Sequence, residues 1–227
     1  KVMEKLKILA LCLLLSGCSA GNRLEYSKEA LQKSDITFIG IPIVFGLGIQ
    51  GTTFPISPHY SLTAIHVANK TLNKVQSYHP ICDVALIKHD NTSRPIPKFN
   101  HSNIGDKVNT YGYSFIFAMP NKSEDVVKAR LSLDESYNKK GCLLLASDSG
   151  VRIGMSCGPV YDDKNDVVGV ISAYITNIKS YKDNKERNVS YSIFVPVQSF
   201  QYWLVEELNK TEDKGILKIE KNQLVSQ

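Results

Sequence analysis

Ser156 stands in Gly154-Met155-Ser156-Cys157-Gly158-Pro159, a tight glycine-rich turn that leads into the strand-like run Val167 to Ala173. A serine hydroxyl is a weak nucleophile at neutral pH and needs a base within hydrogen-bond reach, itself oriented by a third group. Both kinds of partner lie upstream. His66 ends the apolar run in Leu62-Thr63-Ala64-Ile65-His66-Val67, and Asp83 begins Asp83-Val84-Ala85-Leu86-Ile87. Singly, each has a plain structural use: a core histidine at a strand end, a cap before a strand, a serine in a turn. Together they supply nucleophile, general base and orienting carboxylate, the set that acyl transfer requires.

The order His, Asp, Ser is the one found in the chymotrypsin arrangement, whereas other folds that build the same triad use other orders. Three motifs carry the resemblance further. Leu62 to Val67 resembles the L-T-A-A-H-[CV] of the chymotrypsin/trypsin-like serine peptidases in their compact bacterial form, Asp83 to Ile87 resembles D-[IV]-A-L-[IL], and Gly154 to Pro159 resembles G-[DN]-S-G-G-P. The match runs from Ile36 to Leu208. It implies an all-β chain of two antiparallel β-barrels with a C-terminal helix, His66 as base, Asp83 as its orienting partner, Ser156 as nucleophile, and an oxyanion hole from the backbone N–H groups of Gly154 and Ser156.

The same resemblance places the substrate pocket at Gly150, Ile153, Ser172, Ala173 and Tyr174. The pocket base near Gly150 lacks an acidic residue, the nearest being Asp148, and Gly169 to Ser172 lacks a histidine. A small or apolar residue before the scissile bond is therefore expected, with Arg152 able to face the cleft. Two positions depart from the family pattern: Met155 replaces Asp or Asn, and Cys157 replaces Gly. A side chain after the nucleophile is expected to crowd the substrate space or to demand an unusual backbone angle. Cys157 is also a rival nucleophile, but the spacing of Gly154, Gly158 and Pro159 fits Ser156 and is lost if the register moves to Cys157.

These residues need a scaffold of strands. Short apolar runs punctuated by Gly and Pro predict one barrel in residues 36–123, with Tyr113 to Asp125 as a polar crossover, and a second in 124–209. The closing helix is Val197 to Asn209, with Val197, Phe200, Trp203, Leu204 and Leu208 on its apolar face. A charged, mobile tail is expected over 210–227. His66 and Asp83 then lie on the first barrel and Ser156 on the second, with the active site between them.

The chain of 227 residues is 43% hydrophobic and 22% charged, an ordinary globular composition that argues against disorder. Its formal charge is +5, of which Lys1, Lys5 and Lys7 against Glu4 supply two. That mild charge, with no arginine-rich helix and no zinc-type Cys/His spacing, argues against nucleic acid as a partner and against a metal site. His59, His79, His89 and His101 sit beside turn residues without ligand spacing, and no cofactor is implied.

The amino end reads as an address. Met3, the expected start, opens a charged segment followed by the short apolar core Ile8 to Leu15, which is too short to span a bilayer as a permanent helix. Leu15-Ser16-Gly17-Cys18 resembles the lipobox of bacterial lipoproteins, so residues 1–17 are expected to be a signal peptide and Cys18 an acylated first residue. Ser19 after it leans toward the outer membrane, facing the periplasm. Residues 18–35 follow as a tether with a helix over Leu24 to Gln32. Of the five cysteines, Cys82, Cys142 and Cys157 remain, allowing at most one bridge of undefined pairing.

The resulting expectation is a serine endopeptidase acting on protein or peptide substrates and held to the bacterial envelope by a lipid anchor. The alternatives are a catalytically impaired, peptidase-like binding or scaffolding lipoprotein, with Cys157 blocking turnover, and a structural lipoprotein with accidental motif matches. Oligomeric state is left open.

Overall fold

The structure, a computed structural model, describes residues 19–20, 24–39, 49–114, 119–131, 141–182 and 185–217. The expected export segment 1–17, Cys18 and residues 218–227 lie outside these. The strands in chain order are β1 (Ser19–Ala20), β2 (Glu25–Tyr26), β3 (Asp35–Ile39), β4 (Ile49–Ser57), β5 (Tyr60–Thr63), β6 (Val75–Tyr78) and β7 (Ala85–Lys88). They continue with β8 (Lys107–Ser114), β9 (Met119–Leu131), β10 (Leu144–Ser147), β11 (Val151–Arg152), β12 (Pro159–Tyr161), β13 (Val167–Lys182) and β14 (Lys185–Pro196). Three short α-helices, α1 (Glu29–Lys33), α2 (Ile65–Ala68) and α3 (Gln201–Asn209), and a 3₁₀ turn at Val197–Ser199 complete the described elements.

Six strands close into one antiparallel barrel. β8 pairs with β9, β9 with β10, β10 with β14, β14 with β13, β13 with β12, and β12 returns to β8. Strand periodicity assigns its interior. Val108, Val127, Leu145, Phe194, Val168 and Val160, one from each strand, form a single buried cluster. Their neighbours Leu144, Ala146, Ile193 and Val195 belong to a different cluster, because successive side chains leave opposite faces of a strand. Full burial of a side chain such as Phe194 stabilises by about 3 kcal/mol.

The remaining strands form a five-stranded sheet in the order β3-β4-β5-β7-β6. Among the described residues this sheet is open, so of the two expected barrels one is seen closed and the second is not seen. The reason lies in β8 and β9. Residues Lys107 to Gly112, read as the last strand of the first barrel, build the second, and Met119–Leu131 is a long strand where a polar crossover was expected. The polar run of β9 misled because polar residues share its buried side: Asn121 and Ser123 are buried along with Val127, while Glu124, Lys128 and Arg130 face solvent.

α3 lies as expected, after a 3₁₀ turn at Val197–Ser199. Val197, Phe200, Leu204 and Leu208 share the cluster that contains Phe54 and Leu62 of the open sheet and Val84 just before β7, so this segment ties both lobes together. Residues 210–213 then dock rather than trail free. Asp213 is 4% exposed and takes the His59 backbone N–H at 2.9 Å and the His59 Nδ1 proton at 2.7 Å. The expected helix over Leu24 to Gln32 is realised only as Glu29–Lys33, since Glu25–Tyr26 pairs with β9 instead.

Candidate active site

His66 is delivered by α2, a single helical turn that begins where β5 ends. Ala64 keeps extended backbone while its carbonyl accepts the N–H groups of Val67 at 3.1 Å and Ala68 at 2.8 Å. This turns the imidazole to the rim, where its side chain is 47% exposed. Asp83 lies in the loop ahead of β7. That loop is held by His79, whose Nδ1 accepts the N–H groups of Ile81 at 3.1 Å and Cys82 at 2.8 Å and whose ring packs edge-on against Trp203. A disulfide from Cys82 to Cys142 joins the loop to the residues before β10. It settles the pairing left open by the sequence and leaves Cys157 as the free thiol among the described cysteines.

His66 and Asp83 meet twice. The His66 backbone N–H donates to Asp83 Oδ1 at 3.2 Å, and Nδ1 lies 2.7 Å from Oδ2. With a carboxylate as acceptor, Nδ1 carries a proton, and in the neutral ring this leaves the lone pair on Nε2. The Ser172 hydroxyl donates to the same Oδ2 at 2.8 Å. Burial alone would raise the Asp83 carboxyl, but the His66 hydrogen bond and charge, with the Ser172 hydroxyl, hold it below the usual carboxylate range.

Ser156 occupies the seam between the lobes. It is half-buried, and its neighbours Gly154, Met155, Cys157 and Gly158 are buried. Its carbonyl accepts the Thr52 N–H of β4 at 2.9 Å, and the Thr52 hydroxyl donates to the Gly154 carbonyl at 2.8 Å. The structure thus brings His66 and Asp83 into direct contact and fastens the Ser156 turn to the sheet that carries them. Among the described residues no hydrogen bond joins the Ser156 side chain to His66.

The turn before Ser156 is closed by the Met155 N–H on the Arg152 carbonyl at 3.0 Å, with Gly154 at φ 98° in its third position. A positive φ there is the mark of a type II turn and favours glycine. Gly158 is required for a different reason: a Cβ at this position would stand 1.9 Å from the Tyr111 carbonyl oxygen. Cys157 also adopts left-handed backbone, at φ 76°, which costs a side-chain-bearing residue about 1–2 kcal/mol. Its side chain is fully buried beside Thr63 and Ala64, not in open cleft. Burial pushes the thiol well above its ordinary range, with the nearby Asp83 charge adding to the shift.

Of the expected pocket residues, Gly150 is buried, its N–H donating to Ser123 Oγ at 2.7 Å, and Ile153 is 50% exposed. Ala173 and Tyr174 sit half-buried on β13. Ser172 turns its hydroxyl to Asp83, a role that local sequence does not signal because the partners are 89 residues apart. Asp148 is engaged by Lys128 at 3.0 Å. β1 pairs antiparallel with β11, placing Ser19 opposite Arg152 and Ala20 opposite Val151. The segment that follows Cys18 in the chain therefore runs along the strand that feeds the Ser156 turn. Among the described residues no group of three or more His, Cys, Asp or Glu side chains could hold a metal ion.

No family model matches the chain, and no curated protein matches it. Solved structures do. The active form of the Rv3671c protease from M. tuberculosis is 19% identical, with a TM-score of 0.59 over 83% of this chain and 86% of that one. The HtrA-type protease AlgW with tripeptide is 14% identical, with a TM-score of 0.60 over 82% of this chain and 62% of that one. A serine endoprotease from Yersinia pestis is 16% identical, with a TM-score of 0.58 over 79% and 64%. The chain thus spans less than two thirds of the AlgW and Yersinia proteins, and all of these identities are low. At that level the likeness concerns architecture: the chain has the fold of the trypsin-like and HtrA-type serine proteases.

Proposed function

We propose that the protein is a serine endopeptidase in which Ser156 attacks the peptide carbonyl, His66 accepts its proton through Nε2 and returns it to the leaving amine, and Asp83 holds the imidazole and stabilises its charged form. The observation that carries this reading is the double contact of Asp83 with His66, which fixes the tautomer a general base needs. The positive φ of Gly154 supports an oxyanion hole from the Gly154 and Ser156 N–H groups, each worth about 3 kcal/mol of transition-state stabilisation when aimed at the developing charge. Water then releases the acyl group by the same steps in reverse.

The pocket of Gly150, Ile153, Ser172, Ala173 and Tyr174 suits a small or apolar side chain, because its nearest carboxylate, Asp148, already has its charge offset by Lys128 at 3.0 Å. Cys157 is disfavoured as nucleophile, since a buried, protonated thiol cannot attack. Its inward placement also weakens the reading of the chain as a scaffold blocked at this residue. An envelope location through acylation of Cys18 fits the pairing of Ser19 with Arg152, which would bring the catalytic cleft close to the membrane surface.

A fluorophosphonate probe tests the chemistry. The full chain should label and its Ser156→Ala form should not; equal labelling of both would end the proposal. Incorporation of a fatty-acid analogue that is lost in Cys18→Ser tests the anchor separately.

A further inference from the structure

Thr52 is wholly buried, yet every polar atom it owns is engaged with the active-site seam. Its N–H donates to the Ser156 carbonyl at 2.9 Å, its hydroxyl donates to the Gly154 carbonyl at 2.8 Å, and the same oxygen accepts the Tyr113 N–H at 3.1 Å. Its own carbonyl accepts the Thr63 hydroxyl at 3.3 Å. Thr52 belongs to β4, Tyr113 to β8 and Gly154 to the turn before Ser156, so one side chain bridges the open sheet, the barrel and the nucleophile turn.

The chemistry of these bonds fixes their direction. A carbonyl can only accept and an N–H can only donate, so the hydroxyl must spend its proton on Gly154 and a lone pair on Tyr113. The peptide joining Gly154 to Met155 is then held at both ends, by Thr52 at its oxygen and by the Arg152 carbonyl at its nitrogen. Glycine at 154 has the widest backbone freedom of any residue, so this is the place in the turn where an external clamp has most to restrain. The clamp comes from the sheet that carries His66: Phe54, two residues beyond Thr52, pairs with Leu62, and Leu62 lies four residues before His66.

We infer that Thr52 is a positioning residue that sets the Ser156 hydroxyl and the Gly154 amide at a fixed distance from His66 across the lobe seam. The inference rests on the proposed reading of the site. Because Thr52 has no surface for substrate to touch, its loss should act chiefly on turnover. Valine keeps the branched shape but deletes the donor to Gly154 and the acceptor for Tyr113. Serine keeps both. Thr53 is the internal control, since its hydroxyl is also buried but has no hydrogen-bond partner among the described residues.

The experiment measures the fluorophosphonate labelling rate, together with kcat and KM for a peptide substrate, in wild type, Thr52→Val, Thr52→Ser, Thr53→Val and Ser156→Ala. Thr52→Val should lose about 10- to 100-fold in kcat and in labelling rate with KM within about threefold, as expected for a small misplacement of a reacting group. Thr52→Ser and Thr53→Val should stay within about threefold of wild type. Wild-type rates in folded Thr52→Val overturn the inference. So does a folded Thr52→Ser that loses more than about 30-fold, which keeps the idea testable if the valine form does not fold. If Ser156→Ala labels like wild type, the reading of the site falls, and the inference with it. If Ser156→Ala is inert while Thr52→Val is normal, only the inference falls.

Discussion

On the proposed mechanism, replacing Asp83 by Asn should almost abolish turnover while leaving the fold intact, and the hydrogen bonds at Asp83 give the reason. Asp83 accepts three hydrogen bonds: Oδ1 takes the His66 N–H, and Oδ2 takes both His66 Nδ1–H and the Ser172 hydroxyl. An amide has one acceptor end and one donor end. With its oxygen toward Nδ1 and Ser172, its NH₂ would face the His66 N–H, donor against donor. With its oxygen toward the His66 N–H, its NH₂ can donate to a lone pair on Nδ1 and to Ser172 Oγ, and no two donors oppose each other. The second arrangement should win, and it requires the proton of His66 to move to Nε2. That atom then presents N–H instead of a lone pair to Ser156 and cannot act as base. Tautomer loss of this kind costs about 10⁴ in kcat, equal to roughly 5.4 kcal/mol at 1.36 kcal/mol per tenfold. The assay is peptide hydrolysis by wild type, Asp83→Asn and Asp90→Asn, with thermal unfolding checked for each. Asp90 spends its carboxylate on the Thr92 N–H and hydroxyl and should tolerate the change. Near wild-type turnover in Asp83→Asn, or an inactive but folded Asp90→Asn, would refute the assignment.

Three further outcomes are expected. Cys157→Gly should stay active with stability within about 1–2 kcal/mol of wild type, because relief of the left-handed backbone offsets the lost packing; denaturant titration and labelling would show it, and loss of labelling in Cys157→Ala with full labelling in Ser156→Ala would move the nucleophile. Cys82→Ser should lower stability by about 2–5 kcal/mol, since the disulfide closes a loop spanning 60 residues, and it should lower kcat by freeing the Asp83 loop; unchanged unfolding under reducing and oxidising conditions would contradict this. The contact of His59 with Asp213 raises the His59 pKa above its ordinary 6.5, chiefly through the Asp213 hydrogen bond, so its stabilisation is complete below that value and fades as pH rises through the folded-state pKa. Melting temperatures on the alkaline side of 6.5 should fall more in wild type than in His59→Gln, and parallel curves for the two would exclude a stabilising contribution from the charged His59–Asp213 contact.

Short-range patterns identified His66, Asp83 and Ser156 as candidates because nucleophile turns and strand ends leave local signatures: glycines at fixed offsets and apolar runs of strand length. The closing helix was legible for the same reason, with Val197, Phe200, Leu204 and Leu208 spaced for one helical face. Three features were not legible, and each depends on residues far apart in the chain. Barrel closure is one: Lys107–Ser114 reads as a strand in isolation, but only its hydrogen bonds to β9 and β12 decide which lobe it joins. The choice of Cys82 with Cys142 is another, since spacing allows any pair among three cysteines. The last is the support of the site by Thr52, Ser172 and His79. Their types are commonplace in strands and turns, and their value arises from where folding aims a single hydroxyl or ring nitrogen. Sequence thus determined which groups could perform the chemistry, through local backbone requirements. Tertiary structure decided how those groups are held, because a hydrogen bond of 2.8 Å between residues 89 positions apart, as from Ser172 to Asp83, exists only once both lobes have packed.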